Sequence, residues 1–235
     1  MQRVPRWYYN ELQQVGLDGD GGAHSEVFER DQCSDPKTAQ RLIQRLGLSS
    51  EHRLIDLGCG TGSFALQAAE SCGAVDAVDV SRAMLSYANT QAEIRGIQNV
   101  VFHHGGFLTY QHGADPVDFV ITKYALHHLP DFWKMVGLCR LVGMLKPGGR
   151  LYLEDIVFSF DPNDGKAGIK SWISKMAKPK GQGLSREELE THVRDEFSTY
   201  GWILEGMLER AGLEIEDAAY TDNASANYLC VKKAT

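Results

Sequence analysis

The segment LIDLGCGTGSF, residues 54–64, constrains this chain more than any other stretch. A short apolar run ends in a turn that holds Gly58, Gly60 and Gly62, and a helix-forming run follows. Glycines let backbone turn sharply and approach a ligand, while the first turn of the next helix offers free N–H groups. Strand, glycine turn and helix therefore predict a parallel-sheet unit holding a nucleotide-like molecule at the carboxyl end of its strand.

The rest of the chain repeats that rhythm. RLIDL (53–57), AVDAVD (74–79), NVVFHH (99–104), VDFVITK (117–123) and RLYLEDIVF (150–158) read as strands. Helices are predicted between them. Asp35 caps a first helix with Pro36 at its start, and Ala39, Leu42, Ile43 and Leu46 form its apolar face before Gly47. A helix over 62–72, with Ala65, Ala68, Ala69 and Cys72 on one face, stops at Gly73. Ser81 caps another, running to about Arg95 and Gly96. A fourth begins at Asp131, presents Phe132, Met135, Val136 and Cys139, and stops at KPGG (146–149). EIEDAAY (214–220) and NYLCVK (227–232), joined by TDNASA, read as a terminal hairpin. The fold class is α/β: a Rossmann-like three-layer sandwich with a mostly parallel sheet and a C-terminal antiparallel hairpin.

Two stretches break the pattern. Residues 1–34 are polar and Gly-rich, with Trp7, Tyr8, Tyr9 and Phe28, and read as an arm or lid outside the core. Residues 35–235 form the ligand-binding domain, with an insert at about 159–212. Its first part, 160–184, carries Lys166, Lys170, Lys175, Lys178 and Lys180 against only Asp161 and Asp164. Ser185 and Glu188 then make a capping box, and a helix over about 199–211 presents Leu204, Met207, Leu208 and Ala211.

Charge and cysteine usage limit the partners. A net charge of −7 argues against a nucleic acid, whose phosphates demand a basic surface. No apolar run approaches the ~20 residues needed to span a bilayer, and MQRVPRWYYN has no signal-peptide core. Cys33, Cys59, Cys72, Cys139 and Cys230 are odd in number and form no C-x-x-C pair. They read as reduced, buried thiols, so a cytoplasmic location is expected, and the chain is expected to be a monomer or homodimer.

Asp79 ends the second strand, where a carboxylate can accept hydrogen bonds from both hydroxyls of a ribose. A nicotinamide dehydrogenase would need G-x-G-x-x-G; here the third glycine comes one residue early, and Asp56 is unexpected in such a strand. The stretch DLGCGTG followed by VDVSRAML instead resembles the class I S-adenosylmethionine-dependent methyltransferases, including bacterial ubiquinone- and menaquinone-biosynthesis enzymes. KYALHHLPD (123–131) and MLKPGGRLYLED (144–155) match later landmarks of that family. The resemblance covers residues 36–158. It implies S-adenosylmethionine as cofactor, S-adenosylhomocysteine as product and a small-molecule acceptor. It places Asp56 and Gly58 by the amino-acid part of the cofactor, with Gly60 and Gly62 in the turn beneath. Asp79 then holds the ribose, Val80 and Met84 face the adenine, and the Lys123 backbone faces the methionine part. An acidic side chain is common in the family where Gly106 stands; backbone of Gly106 and Phe107, with the Phe107 ring, is expected to take its place.

His127 and His128 are the acid–base candidates, since histidine titrates near neutrality. Tyr124, after the fourth strand, joins them as a catalytic candidate. Glu154 and Asp155 stand at a strand end, and His192, Arg194, Tyr200 and Trp202 are weaker pocket candidates. No metal is expected, because the pairs His103–His104 and His127–His128 lack ligand spacing. In-line methyl transfer needs little beyond alignment, so residues 1–34 and 159–212 are the natural walls of an acceptor pocket, and the lysines point to an anionic acceptor. The competing functions are a protein or RNA methyltransferase and a cofactor-binding module without catalysis.

Overall fold

The computed structural model describes residues 5–13, 36–179 and 182–233. Asp35, Phe28, Cys33 and Lys180 lie outside them. In chain order the main elements are α1 (Pro36–Leu46), β1 (Arg53–Leu57), α2 (Ser63–Ala69), β2 (Ala74–Asp79), α3 (Arg82–Arg95), β3 (Val100–His104), β4 (Val117–Lys123), α4 (Asp131–Met144) and β5 (Leu145–Asp155). There follow β6 (Val157–Phe158), α5 (Gly165–Met176), α6 (Arg186–Asp195), β7 (Thr199–Tyr200), α7 (Gly201–Arg210), β8 (Leu213–Thr221) and β9 (Ser225–Lys232).

Seven strands make one sheet in the order β3-β2-β1-β4-β5-β9-β8. The first five are parallel, and β9 and β8 complete it as an antiparallel hairpin. This is the expected Rossmann-like arrangement. The chain steps from β1 outward to β3 and then returns to place β4 beside β1. That reversal opens a crevice outside the carboxyl ends of β1 and β4, the place where such sheets bind ligands.

Strand alternation divides the core in two. Leu54, Phe119 and Ile121 face one side with Ala39, Leu42, Ala65 and Ala68 of α1 and α2. Ile55, Leu57 and Val120 face the other with Leu138 and Leu141 of α4 and Leu204 and Leu208 of α7. Central strands buried on both faces account for the nearly continuous apolar runs in the sequence.

Several boundaries differ from the sequence reading. α2 stops at Ala69, not at residue 72, because the Asn99 side chain donates to the carbonyls of Ala69 and Cys72, each at 2.9 Å. α4 turns a different face inward: Lys134, Leu138, Leu141 and Val142 are buried, whereas Phe132 and Cys139 are exposed. That helix is apolar around most of its circumference, so periodicity does not select one face. β5 begins at Leu145, since a register shift opposite Val117 and Phe119 lets the Lys146–Gly149 turn belong to the strand. It ends at Asp155, whose carboxylate accepts the backbone N–H of Ile156. β6 then leaves the sheet to pair with β7.

The lysine-rich α5 is anchored on one face: it buries Trp172 and Ile173 against Phe158, Leu189 and Ala224. The Ser185–Glu188 capping box forms as expected. The connector between β8 and β9 is short because Asp222 and Asn223 both take positive φ, which suits a tight hairpin. Residues 5–13 do not lie wholly outside the core either. Trp7 is exposed, but Tyr8 and Tyr9 pack beside Trp133, and Glu11 is buried.

Candidate functional site

The glycine turn after β1 is folded against its neighbours. Gly58 and Cys59 both donate to the Val78 carbonyl, at 2.8 and 3.0 Å. Gly58 has φ +82°, and a Cβ there would collide with the Ala125 side chain. Part of the demand for glycine therefore comes from the loop after β4, which closes tightly on the turn. Gly60 donates its N–H to Asp79 Oδ2 at 2.8 Å, and Ser81 donates to Asp79 Oδ1 at 2.8 Å. The Asp79 carboxylate is thus held between the turn and the start of α3. Ser81 also caps α3, accepting from Met84 N at 3.2 Å.

Asp56 is buried beneath this turn, and its Oδ2 has no hydrogen-bond partner. Burial raises its pKa to about 7, with the Lys123 charge pulling the other way and the Asp79 charge reinforcing the rise. A buried carboxylate oxygen left unsatisfied is costly. A cationic or N–H-bearing group of a bound molecule would relieve it, so Asp56 and Asp79 fit a ligand with a positive charge and a diol.

At the next strand ends, Val80 and Gly106 flank a point reached by the carboxylate of Glu11. Gly106 N donates to Thr109 Oγ1 at 3.0 Å. Phe107 sits in the core, its Cβ 3.0 Å from where a Cβ of Gly137 would stand, while its carbonyl accepts from Arg140.

The catalytic candidates separate. Tyr124, with φ +51°, donates its hydroxyl to Glu154 Oε1 at 2.9 Å, and Lys123 Nζ lies 3.5 Å from Glu154 Oε2. Burial, then the Glu154 charge, pushes the Tyr124 hydroxyl pKa up. His127 turns instead to Asp155, and His128 Nδ1 lies 3.9 Å from Glu196 Oε2. His127 is clamped: Nδ1 is bonded to Asp155 Oδ1, its backbone N donates to Asp155 Oδ2 at 3.0 Å, and Nε2 lies 3.1 Å from Glu196 Oε2. Burial alone would lower its pKa, but the Asp155 charge and hydrogen bond, with Glu196, raise it to about 9. His128 is lowered to about 4, by burial and then by the His127 charge. At neutral pH the pair is one imidazolium and one neutral imidazole.

Glu196 also pairs with His192 Nδ1, whose Nε2 is 2.8 Å from Ser198 Oγ. His127, His192 and Glu196 bring ligand atoms within 4.8 Å of one another, from two separate segments of the chain. Here the Glu196 carboxylate lies between the two imidazoles and meets a nitrogen of each. The loop carrying it is anchored by Phe197 N on the His127 carbonyl at 2.9 Å, and by buried Lys134, which bonds Asp131 and the Phe197 carbonyl. Glu196, Lys134, Ser198 and Glu11 were missed in the sequence. The spacing of His192 and Glu196, four apart across the C-terminal end of α6, was a local signal. Of the weaker candidates, Arg194 is exposed and paired with Asp195, and Trp202 is 67% exposed.

The sequence profile described as methyltransferase domain matches residues 48–227. The chain is 27% identical over 207 residues to the 27-O-demethylrifamycin SV methyltransferase of Amycolatopsis mediterranei, covering 78% of this chain and 74% of that protein. It is 31% identical over 180 residues to a demethylmenaquinone methyltransferase of Lactococcus lactis, covering 65% and 68%. Other curated relatives are matched over about half their length. In fold, it is similar to the magnesium protoporphyrin IX methyltransferase of Synechocystis, solved with bound S-adenosylmethionine. The TM-score is 0.64 and the identity 15%, with 97% of this chain and all of that one covered.

Proposed function

The chain belongs to the methyltransferase domain family, and we propose that it transfers a methyl group from S-adenosylmethionine to a small-molecule acceptor. The observation that carries this reading is the pair of carboxylates at the ends of β1 and β2: Asp79 aligned by two backbone N–H groups, and Asp56 buried with one oxygen unpartnered. Asp79 accepts the ribose hydroxyls. Asp56 meets the cationic amino-acid part, beside Gly58 and the Lys123 backbone. Gly60 and Gly62 form the floor, and Val80, Met84 and Gly106 border the adenine.

When bound, S-adenosylmethionine supplies an electrophilic methyl group on a sulfonium. The chain supplies alignment, which can contribute ~7–11 kcal/mol to lowering such a barrier, and it excludes water. Tyr8, Tyr9 and the insert around α5 and α6 wall the acceptor pocket. Neutral His128 takes the proton the acceptor loses; His127, held by Asp155 and Glu196, positions it. The compartment is the cytoplasm, supported by the free state of Cys59, Cys72, Cys139 and Cys230; no helix among the described residues is long and apolar enough to cross a membrane.

The Asp56 pKa gives this reading a pH signature. Below about 7 the side chain is neutral; above, it is an anion that attracts a cation. Affinity for S-adenosylhomocysteine is expected to rise about tenfold from about pH 5.5 to about pH 7.5, with a proton released on binding. Asp56→Asn should flatten that dependence. Calorimetry in buffers of different ionisation heat measures both, and a flat profile in the parent removes Asp56 from the cofactor site.

The acceptor is anionic on this reading, supported by the exposed Lys166, Lys170, Lys175 and Lys178 beyond β5. Lys175 lies 3.4 Å from Asp222, so Lys166 and Lys170 are the better probes. Turnover across small hydroxylated acceptors with and without a carboxylate or phosphate, against RNA and protein acceptors, tests the class. With an anionic acceptor, kcat/KM should fall as salt shortens the Debye length to ~8 Å, and Lys166→Gln with Lys170→Gln should flatten the fall. Turnover confined to RNA or protein, or none with any class, rejects the small-molecule reading.

A further inference from the structure

Glu11 is the one carboxylate that the arm brings to the crevice among the described residues. It opens a single turn of 3-10 helix, Glu11–Gln13, and is 4% exposed. Its Oε1 accepts from Leu108 N at 2.9 Å and from Thr109 Oγ1 at 2.7 Å. Its Oε2 takes the longer share of Leu108 N, at 3.1 Å, and the backbone N–H of Thr109 also reaches the carboxylate. Oε2 lies 2.7 Å from where a Cβ of Gly106 would stand, and Val80 Cγ1 lies 2.8 Å from the same point. Three donors reach a carboxylate that can accept about four hydrogen bonds, so one acceptor site is left between the ends of β2 and β3, one residue from the strand that ends in Asp79.

A carboxylate oxygen beside apolar Val80 and a bare glycine selects a partner by hydrogen-bond polarity. It receives an N–H donor and repels a carbonyl. Resting on the reading of Asp79 as the ribose residue, we propose that Glu11 reads the base: it accepts a hydrogen bond from the exocyclic amine of adenine and makes the site prefer adenosyl over inosyl ligands. No residue of β3 or of the loop after it offers an acid at this point, since Gly105, Gly106 and Phe107 carry none. The contact also ties base recognition to the acceptor side, because Tyr9, two residues before Glu11, donates its hydroxyl to the His128 carbonyl at 3.1 Å.

The test is binding of S-adenosylhomocysteine and of S-inosylhomocysteine, in which a carbonyl replaces the amine, measured by calorimetry on the full chain. The parent should prefer the adenosyl ligand at least about tenfold. Glu11→Ala should lose that preference, weakening the adenosyl ligand while leaving the inosyl one nearly unchanged. Glu11→Gln is sharper. The fixed N–H of Leu108 needs the amide oxygen, so the amide NH₂ must take the place of Oε2. A donor then faces the base, and the preference should invert. This variant keeps the bonds from Leu108 and Thr109, so it stays folded. Adding Gly106→Asp to Glu11→Ala returns a carboxylate to the vacated point and should restore the adenosyl preference. Equal weakening of both ligands, or no change in either variant, overturns the proposal. If neither ligand binds the parent, the S-adenosylmethionine reading itself fails.

Discussion

Asp79→Ala is expected to lower affinity for S-adenosylhomocysteine by about 100-fold or more. Each hydrogen bond to a charged group contributes ~1.5–3 kcal/mol, and the two ribose hydroxyls account for two such bonds. The damage extends to the turn, because Gly60 N and Ser81 N lose their acceptor together. Asp79→Asn should be nearly as harmful: one of its two positions becomes an NH₂ facing a backbone N–H. The substitution also removes a negative charge beside Asp56, one of the causes of the raised Asp56 pKa. The pH dependence of binding should therefore move to lower pH in Asp79→Ala. Calorimetry over a pH series, with thermal melts to establish folding, reads both effects. Unchanged affinity in a folded variant would remove Asp79 from the ribose site.

The position of these two aspartates around the glycine turn was legible in the sequence because its determinants are local. A strand, a glycine turn and a strand-end acid lie within 26 residues, 54–79, and the backbone alone sets their geometry. Ser81 and Gly96 bounded α3 correctly for the same reason: caps act over three or four residues. Where the determinant was distant, the reading failed. Asn99 ends α2 from 27 to 30 residues away, and Glu11 meets Leu108 across 97 residues. Glu196 reaches His127 from a loop held by Lys134 of α4 on the Phe197 carbonyl and by Phe197 N on the His127 carbonyl. α4 shows a different limit. Its sequence is apolar on several faces, and only the packing of Leu138 and Leu141 against the sheet decides which one is buried. Buried Lys134 was unreadable without knowing that a carboxylate and a carbonyl would meet its amine.

His128→Ala is expected to lower kcat by about 10²–10⁴-fold while leaving S-adenosylhomocysteine affinity nearly intact. His128 is the neutral member of the pair and has the more exposed side chain, at 31% against 7% for His127. His127 cannot accept a proton at pH 7 while its two nitrogens face Asp155 and Glu196 and its pKa stands near 9. Its loss should read out differently. Its pKa is raised above the unfolded value of ~6.5, so its contribution to stability is full below ~6.5 and is lost as pH climbs through about 9. A shift of that size corresponds to up to about 3 kcal/mol. The parent should lose part of its stability over that window, and His127→Gln should lack the loss while being less stable at pH 6. In the same variant the cation that depresses His128 is gone, so the His128 pKa should rise from about 4 toward its ordinary value. The acid limb of the pH–rate profile should move up with it, so that turnover near pH 5 falls more than turnover near pH 8. An acid limb that stays in place would show that His128 does not carry the proton. Retained turnover in His128→Ala would leave alignment alone as the source of catalysis.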